Sequence, residues 1–226
     1  VKDDKVQLRE FLDGHLDESY SLPTEFFDVL LDTRTRRLRA NYSCSLQVCP
    51  ALLTWFLDFN CATEPFAEAQ LRRAISWAID RERIVRFVAR NSPYAPAEHG
   101  VTPPVLANYD ISTIPGYSFD PERARRLFSQ TAFARQGQRD IVLTIYPEPR
   151  LVQVAEAIQA MLAEHLGLNV RIETVQLAQF LDMAERGQLS MWGTRWYGDY
   201  PDVENFLSLF DGRYVPADTA APSYPN

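Results

Sequence analysis

The chain has 226 residues, of which 46% are hydrophobic and 23% charged, and its formal net charge is −7. This balance is typical of a globular protein with a buried core and excludes an intrinsically disordered chain. The 23 basic residues are largely scattered, which argues against nucleic acid as a main partner. Since no apolar run reaches about 18 residues, the sequence predicts no membrane span.

The first segment, residues 7–60, predicts two short helices followed by two extended stretches. The helices are expected from about residue 7 and near residues 24–31, with a turn at Asp13 and Gly14 between them. The second extended stretch, residues 52–60, is rich in strand-forming side chains and bounded by prolines. It predicts a central strand.

A pair of helices is predicted next. Apolar residues recur on one helical face at Leu71, Ala74, Ile75 and Ala78. Asp80 is the expected N-cap of the second helix. Residues 91–117 are rich in proline and lack periodicity, which indicates a long surface loop of a kind that is usually functional. Asp120 followed by Pro121 predicts a new helix start.

The last third of the chain alternates between strands and helices. Strands are predicted at residues 141–146, 168–175 and 189–196, and helices at residues 151–166, 178–185 and 203–210. Such alternation is typical of an α/β fold.

Three cysteines, Cys44, Cys49 and Cys61, cannot all pair within one chain. They are interpreted as small buried hydrophobic residues, with a single disulfide between Cys49 and Cys61 as the alternative. The three histidines lie far from these cysteines in sequence and match no zinc-ligand spacing. No metal is therefore expected.

Sequence motifs of catalysis are missing. The chain contains no Gly-x-Ser-x-Gly, no phosphate-binding loop, no Gly-x-Gly-x-x-Gly and no His-Glu-x-x-His. His99 is the one histidine in the predicted loop, and it is interpreted as an ordinary surface or packing residue. No catalytic residue and no cofactor are expected.

Residues 192–202, WGTRWYGDYPD, form the most unusual segment, because a predicted strand ends there in aromatic residues and two carboxylates. Ligands of α/β folds bind where loops leave the strand ends. An aromatic surface beside a carboxylate suits a ligand with an apolar side chain and an ammonium group. The alternative is structural: the tryptophans belong to the core, and Asp199 and Asp202 cap the following helix.

The order of several motifs resembles the family 5 extracellular solute-binding proteins, which serve ABC importers of dipeptides and oligopeptides. The similar segments are EPF at 64–66, LRRAISWAIDRE at 71–82, YSFDPERA at 117–124, LGLNV at 166–170 and WYGDYPD at 196–202. They occur in the family's order over nearly the whole chain.

The resemblance implies a fold of the periplasmic-binding-protein type, type II in the dipeptide-binding class: a single α/β lobe whose mixed sheet is flanked by helices. It implies that residues 1–226 form the lobe encoded in the middle of a longer gene, with residues 1–20 and 215–226 near the hinge. Because the chain opens at Val1 without Met, we expect a domain of a longer protein. The resemblance implies that this longer protein carries a signal peptide. The expected location is the periplasm.

The implied function is solute binding without catalysis. A peptide or similar small solute binds between this lobe and a missing lobe, formed by both ends of the protein, and is delivered to the permease subunits of an ABC importer. By position, Asp199 matches an aspartate that pairs with the ligand's α-ammonium, Trp196 an aromatic residue that packs on the ligand, and Arg150 an arginine that takes its carboxylate. The further candidates are Tyr197, Tyr200 and Arg195.

Two alternatives stay open. The same lobe could be the ligand sensor of a transcription regulator, because three cysteines fit a reducing cytosol as well as the periplasm. An enzyme that uses Asp199 and Asp202 as an acid/base pair is the other possibility.

Overall fold

The structure is a computed structural model that describes residues 3–32, 34–35, 37–88, 95–106 and 109–214. The chain divides into two compact units, Val1–Pro50 and Ala51–Asn226. The single lobe expected for residues 1–226 stays a prediction, and the expected hinge segment 215–226 lies outside the described residues.

The first unit contains two helices, α1 (Asp4–Leu12) and α2 (Phe27–Leu30), with a 3₁₀ turn at Thr24–Phe26. Asp3 caps α1, because its carboxylate accepts the backbone N–H groups of Lys5 and Val6. The core of this unit is formed by Leu8, Leu30 and Leu31. Apart from an isolated bridge between Leu31 and Leu38, its described residues form no strand, so the first predicted extended stretch does not join a sheet.

The second unit is built on one four-stranded sheet. Its strands are β1 (Leu53–Phe59), β2 (Asp140–Ile145), β3 (Asn169–Thr174) and β4 (Met191–Tyr197), in the order β1-β4-β2-β3. β2 runs parallel to β3 and β4, whereas β1 is antiparallel to β4. The expected α/β fold with a mixed sheet is confirmed.

The helices of the second unit include the predicted ones. They are α3 (Ala69–Ala78), α4 (Arg81–Phe87), α5 (Pro121–Ser129), α6 (Ala132–Arg135), α7 (Pro149–Leu166), α8 (Leu177–Glu185) and α9 (Glu204–Leu207). Asp80 and Asp120 cap α4 and α5 as expected, through the backbone N–H groups of Arg83 and Arg123. The sequence missed α6. The predicted helix 203–210 is α9 followed by a 3₁₀ turn at Ser208–Phe210.

The predicted loop 91–117 contains one 3₁₀ turn, Ile111–Thr113, within its described residues 95–106 and 109–117. Its residues 91–94 and 107–108 lie outside the described part of the chain. The two ends of this loop approach each other closely at Gly116. The next residue, Tyr117, donates its backbone N–H to the Glu98 carbonyl at 2.9 Å. A Cβ at Gly116 would lie 1.8 Å from that oxygen, so only glycine fits there.

The prediction of β1 as a central strand is wrong, because β1 lies at the edge of the sheet. One face of β1 is apolar, the other carries Phe56 between Thr54 and Asp58, and no residue of the strand is fully exposed. Trp55, Leu57 and Phe59 pack against the main core, while the ring of Phe56 on the other face lies 5.6 Å from that of Phe210. Two covered faces give an edge strand the composition of a central one.

The main core lies between the sheet and α3, α5 and α7. Ile141, Leu143 and Ile145 of β2 point into it and are buried. Close packing of α7 on β4 depends on Gly193, where an added Cβ would lie 3.1 Å from Cδ1 of Leu151. On the opposite face, Trp192 packs with Phe180 of α8 in a smaller cluster.

The interpretation of the cysteines as buried residues is wrong. Cys49 and Cys61 are exposed, and Cys44 is partly buried. All three are free thiols, so the alternative disulfide is not formed either. They occupy irregular segments before β1 and the turn after it, where the side chains stay outside the apolar clusters.

Candidate functional site

The candidate site lies at the carboxyl-terminal edge of the sheet, which runs across the ends of the parallel strands and not along an edge strand. The parallel strands β2, β3 and β4 all end at this edge, and the antiparallel strand β1 begins there. Segments that leave these strand ends are therefore brought together, as in other α/β ligand sites. Residues 198–202 follow β4 directly, and α7 begins four residues after β2 ends.

Trp196 and Asp199 are held by the same side chain, that of Asn205. The Trp196 indole Nε1–H donates to Oδ1 of Asn205 at 2.7 Å, and the backbone N–H of Asp199 donates to the same oxygen at 3.2 Å. Asn205 is buried, with 5% of its surface exposed. One amide oxygen thus fixes the strand end to α9, with the Trp196 ring partly buried and the Asp199 side chain exposed.

Gly198, which lies between Trp196 and Asp199 in the chain, is closely surrounded by other residues. Its backbone N–H donates to the Leu52 carbonyl at 2.7 Å. A Cβ at this position would lie 3.0 Å from Cζ of Phe206 and 3.2 Å from Cβ of Leu52. The absence of a side chain therefore lets the chain turn away from β4 against the buried ring of Phe206.

Arg195 lies on the face of the sheet opposite Trp196, because side chains alternate along a strand. Its guanidinium carbon is 5.0 Å from the ring centroid of Trp55 and 5.7 Å from that of Tyr197. Both distances fall within the range of cation–π attraction. Tyr197 and Tyr200 are exposed at 54% and 46%, so this edge presents aromatic surface.

Arg150 belongs to the first turn of α7, which starts at Pro149, and not to the loop before it where the sequence placed it. Pro at the first helical position and Glu148 as the N-cap extend the helix to this point: the Glu148 carboxylate accepts the Leu151 N–H at 2.7 Å. The Arg150 side chain is partly buried. The sheet topology brings it to the same edge as Trp196 and Asp199.

Arg195 and Glu148 both affect the pKa of Tyr146, the residue that follows β2. Burial raises the pKa of the Tyr146 phenol above its ordinary value, Arg195 acts in the opposite direction, and Glu148 adds to the increase. Tyr146 therefore lies in the electrostatic field of both groups, next to the strand end.

The structural alternative for the 192–202 segment holds for some residues only. Trp192 is buried and belongs to the core. Asp202 supports the following helix, since its carboxylate accepts the Glu204 N–H at 2.8 Å. Among the described hydrogen bonds the Asp199 carboxylate makes no such cap bond, and its side chain is exposed.

No group of three or more His, Cys, Asp or Glu residues in the described ranges is arranged to hold a metal ion. None of the described helices is both long enough and apolar enough to cross a membrane. His99 bonds through Nδ1 to the Ile114 carbonyl oxygen at 2.8 Å, which is the packing role expected for it.

Sequence reasoning missed Asn205 and the role of Arg81. Nothing marks Asn205 in the sequence, because its two partners lie six and nine residues before it. Arg81 belongs to the quoted LRRAISWAIDRE segment, and Nη1 donates to the carbonyls of Ser76 and Tyr117, each at 3.0 Å. Burial lowers the Arg81 pKa. This arginine links α3 and α4 to the long loop.

Comparison with protein families gives one match. The family described as bacterial extracellular solute-binding proteins, family 5 Middle, matches residues 1–215. The chain belongs to this family. The resemblance stated from the motifs is thereby confirmed.

Two curated relatives of this solute-binding family illustrate the similarity. A probable di/tripeptide-binding protein 5 of Pseudomonas aeruginosa is 31% identical over 172 residues, which cover 75% of this chain and 32% of that protein. The dipeptide-binding protein of Escherichia coli K12 is 23% identical over 232 residues, covering 92% and 42%. The chain thus spans less than half the length of these relatives.

A solved structure supports the fold. The murein tripeptide binding protein MppA of Escherichia coli superposes with a TM-score of 0.72 and 22% identity, covering 92% of this chain and 40% of that one. The names of these relatives and of this neighbour describe binding proteins. The solute-binding chain therefore shares the fold of periplasmic peptide-binding proteins.

Proposed function

We propose that this chain is the substrate-binding lobe of an ABC importer component that binds short peptides through their free amino terminus. The observation that carries the proposal is the exposed Asp199 side chain, whose backbone N–H shares the Asn205 oxygen with the Trp196 indole at the edge where the parallel strands end. Support comes from the family and from relatives whose names include dipeptide and di/tripeptide binding.

The proposed binding mode uses both residues. The ligand ammonium pairs with the Asp199 carboxylate in a charge-assisted hydrogen bond. The first side chain of the ligand packs on Trp196. Because Asn205 already holds the indole and the Asp199 backbone, the site is ordered before the ligand arrives, which reduces the entropy lost on binding.

The lobe is proposed to act with a second lobe formed by the rest of the full-length protein. A ligand bound at the edge of this lobe is enclosed when the two lobes close, and the closed form is what the permease subunits recognise. In this proposal residues 1–20 and 215–226 lie near the hinge, the protein works in the periplasm, and the peptide leaves chemically unchanged.

The test is calorimetric titration of the full-length protein with Ala-Phe-Ala and its amino-acetylated form. In the closed cleft the carboxylate–ammonium pair is desolvated, so Asp199→Asn should weaken the free peptide by about 30-fold or more. It should leave the acetylated peptide almost unchanged. Trp196→Ala should weaken both peptides alike, because stacking does not depend on the ammonium.

Asp182→Asn on α8 is the matched control and should change neither affinity, since Asp182 is exposed and paired with Arg186. Equal losses of the two peptides in Asp199→Asn would contradict the proposed role of this carboxylate. Mass spectrometry of the peptides after incubation should find them intact, and cleavage products would instead support an enzyme.

A further inference from the structure

Tyr146 is the first residue after β2, at the edge of the sheet where the candidate site lies. Ile145, just before it, is buried in the main core, so the Tyr146 side chain points to the opposite face, which α8 covers. There the rings of Tyr146 and Phe180 meet edge to face, with their centroids 5.3 Å apart. Contact with α8 therefore orders the Tyr146 ring.

Trp196 lies on the same face of the sheet, one strand away from Tyr146. β2 and β4 are parallel, and Thr144 pairs with Trp192. Continued by two residues, this register places Tyr146 opposite Thr194, so that Trp196 lies two residues closer to the edge. With strands about 4.8 Å apart and a rise of about 3.3 Å per residue, the Cα atoms of Tyr146 and Trp196 are about 8 Å apart. Side chains on one face can touch across such a diagonal.

The hydroxyl of Tyr146 is available to a ligand. Within the described part of the chain it has no hydrogen-bond partner, and it is not one of the buried polar atoms without a partner, so solvent reaches it. Burial of the ring raises the pKa of the phenol above its ordinary value, although the charge of Arg195 opposes this. The hydroxyl therefore keeps its proton near neutral pH and can both donate and accept.

This hydroxyl lies where the proposed ligand extends its first side chain. In the proposed binding mode that side chain packs on Trp196, and a side chain of three or four heavy atoms then reaches toward Tyr146. A polar end group would replace the water on the hydroxyl with a direct hydrogen bond. An apolar end group would displace the water and leave the hydroxyl without a partner, which costs affinity.

We infer that Tyr146 is a specificity-determining residue whose hydroxyl forms a hydrogen bond with a polar group at the end of the ligand's first side chain. The inference rests on the proposed function and deepens it, because it narrows the ligands to short peptides whose first residue carries an amide or hydroxyl group. In this arrangement Phe180 positions the tyrosine ring, and Trp196 provides the packing surface.

The experiment compares Asn-Ala-Ala with Leu-Ala-Ala by calorimetric titration of the full-length protein. Both peptides keep a free amino terminus, and their first side chains have the same shape but differ in polarity. In Tyr146→Phe, which removes only the hydroxyl, the ratio of the two affinities should shift about 10-fold toward Leu-Ala-Ala, because one hydrogen bond is lost. The affinity for Leu-Ala-Ala itself should stay the same or rise.

Tyr20→Phe is the matched control, because Tyr20 is 91% exposed in the first unit and should not affect the ratio. A shift under about twofold in Tyr146→Phe would overturn the inference. So would an equal loss of both peptides, since this would mean that the hydroxyl supports the fold of the site and does not contact the side chain. Failure of the proposed function looks different, because wild-type protein would then bind neither peptide.

Discussion

The two halves of β4 have opposite environments. Met191, Trp192 and Gly193 are buried, and Met191 is fully inaccessible to solvent. Met191 faces the main core on the α7 side of the sheet, and Trp192 faces α8 on the other side. Arg195 and Tyr197, in the second half, are exposed, although their backbones pair with β1 as regularly as those of the first half. The backbone hydrogen bonds to β1 therefore continue along the whole of β4, whereas the burial of its side chains decreases in the second half.

The difference separates the part of β4 that stabilises the core from the part that carries the proposed binding residues. Burial of apolar side chains is the main favourable term in folding, so the first half of β4 contributes to stability. The second half can present side chains to a ligand because its backbone is satisfied by β1 without them. Substitutions in the two halves should accordingly have separable effects.

The largest effect is expected from Met191→Ala, which tests the buried half. Removing a fully buried side chain should lower the free energy of unfolding by about 3 kcal/mol, because a cavity is left in the core. Peptide affinity at a temperature where the variant is folded should change less than about threefold. Denaturant unfolding followed by circular dichroism measures the first quantity, and a loss under about 1 kcal/mol would show that the first half of β4 contributes little to stability.

Asp58 gives the second effect, and it depends on pH. This carboxyl lies opposite Trp192 in the β1–β4 pairing, and burial raises its pKa to about 7, against a hydrogen bond from the Trp192 side chain that lowers it. The folded protein therefore holds a proton that the unfolded chain releases near pH 4. Stability should fall between about pH 4 and pH 7 and level off above that range.

A rise of the Asp58 pKa from 3.8 to about 7 corresponds to a loss of at most about 4 kcal/mol in the free energy of unfolding. Because Asp58 is partly exposed, we expect a loss of about 2 kcal/mol. Asp58→Asn should remove this decrease. The stability of the variant relative to wild type should therefore be higher at pH 8 than at pH 4. Denaturant unfolding across this pH range measures it, with Glu185→Gln on the exposed side of α8 as control. Parallel curves for Asp58→Asn and wild type would contradict the assignment.

Asn205→Ala tests the support of the exposed half of β4. It removes the acceptor of two N–H groups, so the free energy of unfolding should fall by about 1–2 kcal/mol. Peptide affinity should also fall, since Trp196 and Asp199 lose their shared support. Asp202→Ala is the control for helix capping alone: it should lower stability while leaving affinity nearer to wild type. Both quantities come from unfolding and titration of the same samples.

Tyr197→Ala should have the smallest effect on stability, less than about 0.5 kcal/mol, because more than half of its surface is already exposed. The same unfolding measurement as for Met191→Ala tests it. A loss as large as that of Met191→Ala would mean that the two halves of β4 are equally buried in the full-length protein.

Local patterns predicted most elements of the fold. Asp80 and Asp120 marked helix starts correctly, because a cap residue acts within three residues of itself. The position of β1 could not be predicted in the same way, since strand order depends on pairing with β4 about 140 residues later. The cysteines were misjudged because composition alone does not reveal which loops stay uncovered.

The candidate site was located by its residue types and not by its geometry. Trp196 and Asp199 are predicted as site residues because aromatic and acidic residues follow a predicted strand. Asn205 escaped notice, since a single asparagine in a helix start has no pattern of its own. The stacking of Arg195 on Trp55 could not be foreseen either, because it requires the register of β1 against β4.

The hydrogen bond between Trp196 and Asn205 also has an optical consequence. Indole fluorescence responds to hydrogen bonding at the ring nitrogen and to the solvent around the ring. Trp192 is 4% exposed and therefore shielded from solvent, whereas Trp196 belongs to the proposed ligand site. Under the proposed binding mode, the emission of Trp196 is therefore expected to change when a peptide binds, without an added label.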